Sequence, residues 1–522
     1  MFNRISQWKY LPWLIFTFAW LLYLYNSGAA SIYILDEAKN AECAREMLER
    51  SDFIVPTFNQ ILRTDKPPLH YFLMMISYSA FGVNPFAARF FSALFGALTV
   101  LITYLFTRKY AGAKTALLTT MVLLASVHLN IQFHLAVPDP YLVFFTTAAI
   151  ISFFLFLQEK KFIYGLSFYV AISMGTLAKG PIAIALPGLI FLLYLLFSKQ
   201  LKWQIIQQLK PFSGALLVLL IALPWYIIVH FKTDGSWTEG FFMKHNLERF
   251  ANEMEGHGGT FMTTILFVLV GLFPFSVFLP QAIRHAFKNH KDHFTLFNLI
   301  AGLTIVGFFI LSSTRLPNYT VPALPFLAVL TALFMQAKWD NFKAFRTGIW
   351  IIFAISLILI PALLVALKTD PALSVVSDVS WYFLPFPILI SVAVFFYYRR
   401  QTASSLGLIL IGGLTVAIIF FGFVFPKIDR ENPVAKSFHL IENKEVRYFR
   451  KFNASFSFSL KKEIPEIEEN EIAGFFEHFP EGVIISTQDK VDQIELPQSA
   501  EISFEAHDIF EKPTTVLITR KK

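Results

Sequence analysis

Charged residues are scarce in this chain, and cysteine is almost absent. Only 15% of the 522 residues are charged, 55% are hydrophobic and 60 are phenylalanine, whereas soluble proteins carry about 25% charged residues. The single cysteine, Cys43, excludes an intrachain disulfide and a cysteine-based metal cluster. The composition therefore excludes an ordinary soluble protein and predicts a polytopic membrane protein.

A convincing cleavage site is also lacking after the first apolar run, so we expect a retained helix there rather than a signal peptide. Each span needs about 20 apolar residues. On that basis the sequence predicts thirteen transmembrane helices, at approximately 11–30, 86–107, 112–129, 140–157, 162–179, 181–198, 211–230, 262–281, 294–312, 319–336, 347–368, 381–398 and 405–425.

The basic loops predict the orientation of these spans. Loops rich in Lys and Arg are cytoplasmic, and all such loops fall on the side of the N-terminus: Arg108-Lys109, Glu159 to Lys161, Lys199 to Lys210, Arg284 to His293, Lys338 to Arg346, and Arg399-Arg400. The apolar stretch 69–81 is too short to cross and is predicted to be an interfacial helix. The N-terminus is then cytoplasmic, and the loops 31–85 and 231–262 are external.

The last 96 residues, 427–522, differ from the rest. They carry 14 Lys and Arg against 18 Asp and Glu, while the remainder holds 30 and 18. Short β-rich runs at 445–449, 482–486, 501–504 and 514–519 alternate with a helical pattern at 471–479. We therefore expect a transmembrane domain, 1–426, followed by a small external α/β domain with a mixed sheet, 427–522, that has no catalytic motif of its own. The excess positive charge of the membrane part is topogenic and does not indicate nucleic-acid binding.

Rare charged residues collect on the external side, at the ends of separate spans, where they would line one rim of a cavity. A charge at a membrane boundary is a functional-site candidate. The candidates are Asp36, Glu37, Asp65, Lys66, Asp139, Lys179, Arg315 and the charged residues of the loop 231–262.

Simpler structural roles remain open for these residues. Asp36 and Glu37 can cap the helix that runs to about Arg50, because acidic residues favour helix N-termini. The same capping role is open to Asp139, which stands between two prolines at a predicted helix start. Lys66, before two prolines, can be a solvated loop residue, although the prolines fix the direction of its backbone.

Two further basic residues and one loop also have such alternatives. Lys179 and Arg315 can be anchors that snorkel to lipid headgroups, but each lies beside a Gly-Pro or Leu-Pro break, which is tolerated mainly beside protein or a wet cavity. The amphipathic segment 241–250 is predicted to be a second interfacial helix, which can simply rest on the bilayer. His245 and His257, with Asp65 or Glu37, would offer nitrogen and oxygen ligands to a divalent metal.

The order of these motifs resembles a known family. Asp-Glu after a first hydrophobic helix, Lys-Pro-Pro, Pro-Asp, Lys-Gly-Pro, Asn-x-x-Arg-Phe and Arg-Leu-Pro-x-Tyr are similar to the motifs of the bacterial lipid A aminoarabinose transferases. More broadly they resemble the dolichyl-phosphate-mannose protein mannosyltransferase-like C-type glycosyltransferases. The resemblance covers roughly residues 1–430.

The resemblance implies a polyprenyl-phosphate sugar donor, inverting transfer on the external face of the bacterial inner membrane, and no nucleotide cofactor. It implies that Asp36 is the essential carboxylate and that Lys66 lies by the lipid phosphate. It also implies that Asp65 belongs to a divalent metal site. Asp139, Arg249 and Tyr319 fall on matching motif positions, and His245 lies beside the position where some relatives have a histidine.

Elementary chemistry agrees with this function. A departing polyprenyl phosphate needs cations, and Lys66, Lys179, Arg249 and Arg315 are available for it. Asp36 can act as a general base if the acceptor is a hydroxyl, whereas a lipid A phosphate needs no base. Protein O-mannosyl transfer, lipid-linked oligosaccharide transfer, transport or flipping, and a structural role in assembly stay open. Transport is disfavoured because the charges lie at one rim and the sequence has no visible repeat.

Overall fold

The structure, a computed structural model, describes residues 8–248 and 260–521, and for 245–248 it describes the backbone alone. The helices of its N-terminal half are α1 (Leu11–Leu24), α2 (Leu35–Glu49), α3 (Leu69–Phe81), α4 (Pro85–Ala125), α5 (Val127–Phe133), α6 (Asp139–Glu159), α7 (Phe162–Lys179), α8 (Ile182–Phe197), α9 (Trp203–Gln208), α10 (Pro211–Lys232) and α11 (Ser236–Glu239), which continues as a π-helix, Gly240–Glu248. A two-stranded antiparallel hairpin, β1 (Thr57–Phe58) and β2 (Ile61–Leu62), lies between α2 and α3.

The second half is also mostly helical. Its helices are α12 (Phe261–Gly271), α13 (Leu279–Lys288), α14 (His293–Leu311), α15 (Leu324–Ala337), α16 (Arg346–Thr369), α17 (Pro385–Tyr398), α18 (Thr402–Ile419), α19 (Phe425–Asp429), α20 (Pro433–Ile441), α21 (Ser455–Leu460), α22 (Ile472–His478) and α23 (Gln488–Val491). Short 3₁₀ segments occur at Phe275–Phe278, Pro317–Ala323, Phe342–Phe345, Ser374–Phe383 and Glu469–Glu471, and a π-helical turn occurs at Phe420–Val424.

The prediction of a polytopic membrane protein is confirmed, but the count of thirteen spans is not. Within the described ranges, nine helices are long and apolar enough to cross a membrane, or ten if the bent pair Phe261–Gly271 and Phe275–Lys288 is one span. One reason for the difference is that α1 and α8 have only 14 and 16 residues.

The other reason lies in α4, which covers two predicted spans. Its 41 residues would extend about 60 Å, twice the thickness of a bilayer core. The helix breaks at Gly112, whose φ of 83° favours glycine. Arg108 and Lys109, which we expected in a loop, are helical instead, and Lys109 forms an ion pair with Glu159. A kink at Gly112 thus stands where we expected a loop between two spans.

The C-terminal segment forms the mixed sheet that the sequence predicts. Strands β3 (Val446–Tyr448), β4 (Val483–Thr487), β5 (Ala500–His507) and β6 (Thr514–Arg520) lie in the order β3-β4-β6-β5. The β3–β4 pair is parallel, and the other two pairs are antiparallel. The core of this sheet is continuous with buried residues of the membrane part, such as Ile360 and Phe383.

A buried ion pair anchors α2 to the membrane helices. The guanidinium of Arg89 donates to both carboxylate oxygens of Glu37 at 2.8 Å, and the side chains are 3% and 0% exposed. Arg89 also donates to the carbonyls of Ser27, Ala30 and Ser31, while the amide of Ala136 donates to Glu37. This one pair therefore joins the end of α1, the start of α2, α4 and the loop before α6.

Replacing Arg89 should therefore destabilise the fold strongly. In Arg89→Met the buried Glu37 carboxylate loses its partner, and we expect a loss of about 3–5 kcal/mol in unfolding free energy. Because the cost comes from the stranded charge, Glu37→Gln in the same chain should recover part of it. Thermal unfolding in detergent measures both, with Arg284→Met, an exposed arginine, as the control. Equal stability of Arg89→Met and the control would refute this anchoring role.

Candidate functional site

Asp139, Lys179 and Asn318 meet at the ends of three separate helical segments. Lys179 Nζ donates to Asp139 Oδ1 at 2.5 Å, and Asn318 Nδ2 donates to the same oxygen at 2.8 Å. Asp139 is the first residue of α6, its N-cap is Pro138, and no side chain caps the helix. Asp139 therefore binds neighbouring side chains rather than capping its helix, and Lys179 is turned into the protein rather than toward headgroups.

The turn after α7 is formed by a glycine. Gly180 has φ +79°, and a Cβ there would stand 2.5 Å from the ring of Phe241. A larger residue at this position would collide with the segment that follows α11. The Lys-Gly-Pro sequence thus ends α7, with Lys179 in its last turn. The glycine leaves room for the 240–248 segment to pack against this turn.

Tyr319 and Arg315 flank this group. Lys179 Nζ lies 5.5 Å from the centre of the Tyr319 ring, a cation–π distance, and this ring packs on Phe309 with centroids 4.9 Å apart. Arg315 donates to the carbonyls of Ser313 and Ile310. Tyr319 therefore contacts the group directly, and Arg315 is anchored by carbonyls of its own segment.

Arg63 is a further buried cation, which precedes Lys66 by three residues. Its Nη2 donates to Asn40 Oδ1 at 3.1 Å and lies 3.2 Å from Asp65 Oδ2. Nε and Nη1 of Arg63 are buried and have no hydrogen-bond partner among the described protein atoms. Burial would lower the pKa of Arg63, but acidic groups that include Asp65 and Asp36 raise it. Arg63 is thus a fixed positive charge within electrostatic reach of Asp36.

The buried residue His70 is influenced by cations from two separate segments. This buried residue lies in α3, whose 13 residues are too few to span. Burial lowers the pKa of His70 well below its ordinary value, and the charges of Arg63, Lys66 and Lys179 lower it further. Cations from the loop before α3 and from the end of α7 therefore lie within electrostatic reach of one buried imidazole.

The two adjacent carboxylates of α2 have different surroundings. The N-cap of α2 is Ile34, so neither carboxylate caps the helix, although both lie in its first turn. Asp36 is exposed. Glu37 is fully buried and bound to Arg89 and the Ala136 amide, so it positions α2, and its assignment to the functional site stays a prediction.

The described residues do not form a complete metal site. Within 8–248 and 260–521, no group of three or more His, Cys, Asp and Glu side chains is arranged to hold a metal ion. Asp65 lies against Arg63, which already neutralises its charge. Arg249 and His257 lie outside the described residues, as does the side chain of His245. A metal at these residues stays a prediction.

An open apolar cavity of about 610 Å³ lies beside the end of α7, which carries Lys179. It is bounded by α7, α8, α10 and the segment after α11, and its lining includes Thr176, Pro181, Val218, Leu219 and Ala222. Thr176 and Pro181 bracket Lys179 in the chain. One end of this groove is therefore close to Lys179, and α10, much of whose surface is exposed and apolar, forms its wall.

Several residues of the site were not predicted from the sequence. Arg63 and Asn318 stand inside motifs that the sequence already singles out, Arg-Thr-Asp-Lys-Pro-Pro and Arg-Leu-Pro-Asn-Tyr, so their position was a usable signal. Arg89 was detectable as a charge within a predicted span. Asn40 and His70 gave no comparable signal, because only the packing of α2 against α3 brings them together.

Comparisons with known proteins agree on the fold. Residues 11–238 match the family described as dolichyl-phosphate-mannose-protein mannosyltransferase. The chain is similar over 97% of its length, and 97% of the other chain, to a crystal structure of ArnT from Cupriavidus metallidurans bound to undecaprenyl phosphate, with a TM-score of 0.80 and 18% identity.

Two relatives are similar in sequence over part of their length. An uncharacterized protein of Aquifex aeolicus (strain VF5) is 30% identical over 61% of this chain and 62% of its own. The undecaprenyl phosphate-alpha-4-amino-4-deoxy-L-arabinose arabinosyl transferase of Yersinia pestis (strain Pestoides F) is 29% identical over 62% of this chain and 59% of its own. The chain therefore has the fold of the ArnT structure, its N-terminal part is similar to the dolichyl-phosphate-mannose-protein mannosyltransferase family, and it spans less than two thirds of the length of these two relatives.

Proposed function

We propose that this protein is an inverting glycosyltransferase that moves a sugar from a polyprenyl-phosphate donor to lipid A or another envelope acceptor. The observation that carries the proposal is that the cations Arg63, Lys66 and Lys179 lie within electrostatic reach of one residue, His70, and that an apolar groove begins beside the end of α7, which carries Lys179. An anionic headgroup joined to a long apolar chain matches that combination. The similarity to an undecaprenyl phosphate-dependent arabinosyl transferase and to an ArnT structure with bound undecaprenyl phosphate supports the same donor class.

The chemistry requires little covalent participation by the protein. The bond between the sugar C1 and the phosphate oxygen breaks, and its electron pair stays on the polyprenyl phosphate. The acceptor oxygen forms the new bond at the opposite face of C1, which inverts the configuration. Lys66 and Arg63 stabilise the charge that grows on the departing phosphate, while Asp139, held by Lys179 and Asn318, presents a fixed carboxylate beside Tyr319 for sugar hydroxyls or an amino group.

The role of Asp36 depends on the acceptor. If the acceptor is a hydroxyl, its proton goes to Asp36, which is exposed and lies within electrostatic reach of Arg63. If the acceptor is a phosphate of lipid A, the nucleophile is already ionised and Asp36 orients the sugar. In either case the burial of Glu37 fixes the first turn of α2, from which Asp36 projects.

The proposal includes a cellular placement. We place the protein in the bacterial inner membrane, with the N-terminus cytoplasmic and residues 427–522 on the periplasmic side, because the basic loops predict that orientation. A divalent cation near Asp65 belongs to the proposal only as a prediction, and no step above depends on it.

A protein acceptor is the second candidate. The match of residues 11–238 to a family described as protein mannosyltransferases favours it. Its chemistry would use Asp36 as the base for a Ser or Thr hydroxyl. The two candidates differ in the acceptor and share the donor site.

The acceptor is tested by a transfer assay in proteoliposomes with the full chain and a radiolabelled polyprenyl-phosphate sugar. We expect label to move to lipid A, and Asp36→Asn to reduce the transfer. Label in envelope protein instead would establish the second candidate. An intact donor with no transfer to either acceptor would contradict both and favour a flipping or transport activity.

Removal of the Lys66 charge should slow the reaction selectively. We expect Lys66→Met to lower kcat/KM by about 10²–10³-fold, since one lost stabiliser of a developing anion costs that much, and Lys66→Arg to retain part of the rate. The matched control is Lys232→Met, an external lysine that pairs with Asp52 at 3.5 Å and is half exposed. Steady-state kinetics that show equal rates for Lys66→Met and the control would remove Lys66 from the site.

A larger side chain in the groove should raise the KM only for donors with a long polyprenyl chain. Leu219 lines the groove, whereas its neighbour Leu220 does not belong to the lining, and both are exposed leucines of α10. We expect Leu219→Trp to raise the KM for a full-length polyprenyl donor about tenfold, or about 1.4 kcal/mol. The KM for a donor with two isoprene units should stay unchanged, and Leu220→Trp should behave as wild type. Similar KM values for Leu219→Trp and Leu220→Trp would show that the prenyl chain binds elsewhere.

A further inference from the structure

The hairpin that leads to Arg63 and Lys66 is attached to the C-terminal domain at its tip. Asn59 and Gln60 form the two-residue turn between β1 and β2, with φ of +52° and +61°, as the tightest hairpin turns require. Asn59 Nδ2 donates to the Ile464 carbonyl at 2.8 Å, and the Ile464 amide donates to Asn59 Oδ1 at 2.8 Å. Asn59 is 6% exposed, so this paired contact is shielded from water.

Further contacts surround that pair. The ring of Phe58 stacks on that of Phe452, with centroids 6.3 Å apart and planes inclined by 15°. Ser455 Oγ donates to the carbonyl of Ile32, at 2.6 Å, just before α2 begins. The domain therefore holds two segments of the first external loop, one on each side of α2.

The position of the hairpin fixes the residues that follow it. Strand β2 ends at Leu62, and Arg63 comes next; the Arg63 amide donates to the Pro56 carbonyl at 2.9 Å, which closes the base of the hairpin. On its other side, Trp237 Nε1 donates to the Arg63 carbonyl at 2.9 Å. The backbone of Arg63 is thus held by the hairpin and by the segment after α10, and the tip of the hairpin is held by Asn59.

We propose that the C-terminal domain is a positioning element of the donor site, and that Asn59 is the residue through which it acts. By fixing the hairpin tip, the Asn59–Ile464 contact sets where Arg63 and Lys66 stand relative to Lys179. The inference rests on the proposed function in one respect, namely that these cations bind a polyprenyl phosphate. It gives residues 427–522 a role in substrate binding although the domain contributes no group to the cluster around His70.

The test compares substitutions at Asn59 in the full chain. Asn59→Gly keeps the left-handed backbone that this turn needs and removes both hydrogen bonds. Asn59→Asp keeps the acceptor for the Ile464 amide and removes the donor. The matched controls are Asn470→Gly and Asn470→Asp, at an exposed asparagine of the same domain.

Two quantities are measured on each variant. Hydrogen exchange of the segment 57–66 reports whether the hairpin is held. We expect about tenfold faster exchange in Asn59→Gly, because opening the hairpin then no longer requires the two hydrogen bonds of Asn59 to break. Binding of polyprenyl phosphate alone reports the donor site, and we expect its Kd to rise about tenfold in Asn59→Gly and less in Asn59→Asp. The Asn470 variants should match wild type in both.

The outcomes separate this inference from the proposed function. Unchanged exchange in Asn59→Gly, or faster exchange with an unchanged Kd, would overturn the positioning role while leaving the donor site intact. A wild-type protein that binds no polyprenyl phosphate would overturn the proposed donor, and the exchange data would still decide whether the domain holds the hairpin. If Asn59→Gly does not accumulate as folded protein, Asn59→Asp gives the same comparison with one bond retained.

Discussion

The buried pair of Glu37 and Arg89 is the constraint on which the site depends. Two charges this deeply buried are tolerated only when their geometry is good and their remaining atoms are satisfied. Both conditions hold, because Arg89 also donates to three main-chain carbonyls and Glu37 also accepts the Ala136 amide. The pair ties together the start of α2, which carries Asp36, and the loop that leads to Asp139. The two carboxylates that the reaction would use therefore stand on elements joined by a single electrostatic contact.

The cations of the site come from elsewhere in the chain and are held by different forces. Arg63 and Lys66 follow a hairpin, and Lys179 ends a helix where a glycine lets an aromatic ring approach. The buried donors of Arg63 that have no protein partner are costly to leave unpaired, at about 1–3 kcal/mol each. A bound anion or water would satisfy them. Such a polar cluster beside an apolar groove is suited to a lipid that carries its charge at one end.

The sequence allowed the fold class to be predicted because apolar runs and basic loops are local signals. The limits of α3 and the four strands of the C-terminal sheet were also predicted within a few residues, since periodicity and turn residues mark them. The count of thirteen spans was not confirmed, because one helix with a kink at Gly112 covers two predicted spans and because α1 and α8 are short. The spacing of motifs placed Asp139, Lys179 and Tyr319 on one side of the membrane but did not show that Lys179 bonds to Asp139.

Other features of the site needed the tertiary structure. Asp36 and Glu37 are adjacent and chemically equivalent in the sequence, and only the packing of α4 against α2 makes one of them a buried anchor and leaves the other exposed. Asn40 joins Arg63, His70 and α2 through one amide oxygen, which no sequence spacing indicates. The contact of Asn59 with Ile464 joins residues 405 positions apart.

The central claim is that the cluster of Arg63, Lys66 and Lys179 binds the phosphate of a polyprenyl lipid whose chain occupies the adjacent groove. A structure of the full-length protein determined with bound polyprenyl phosphate tests it most directly. We expect the phosphate to lie within hydrogen-bonding distance of Lys66 and the first isoprene units to pack against Val218, Leu219 and Ala222. A phosphate bound away from these cations, with the groove occupied only by bulk lipid, would contradict it.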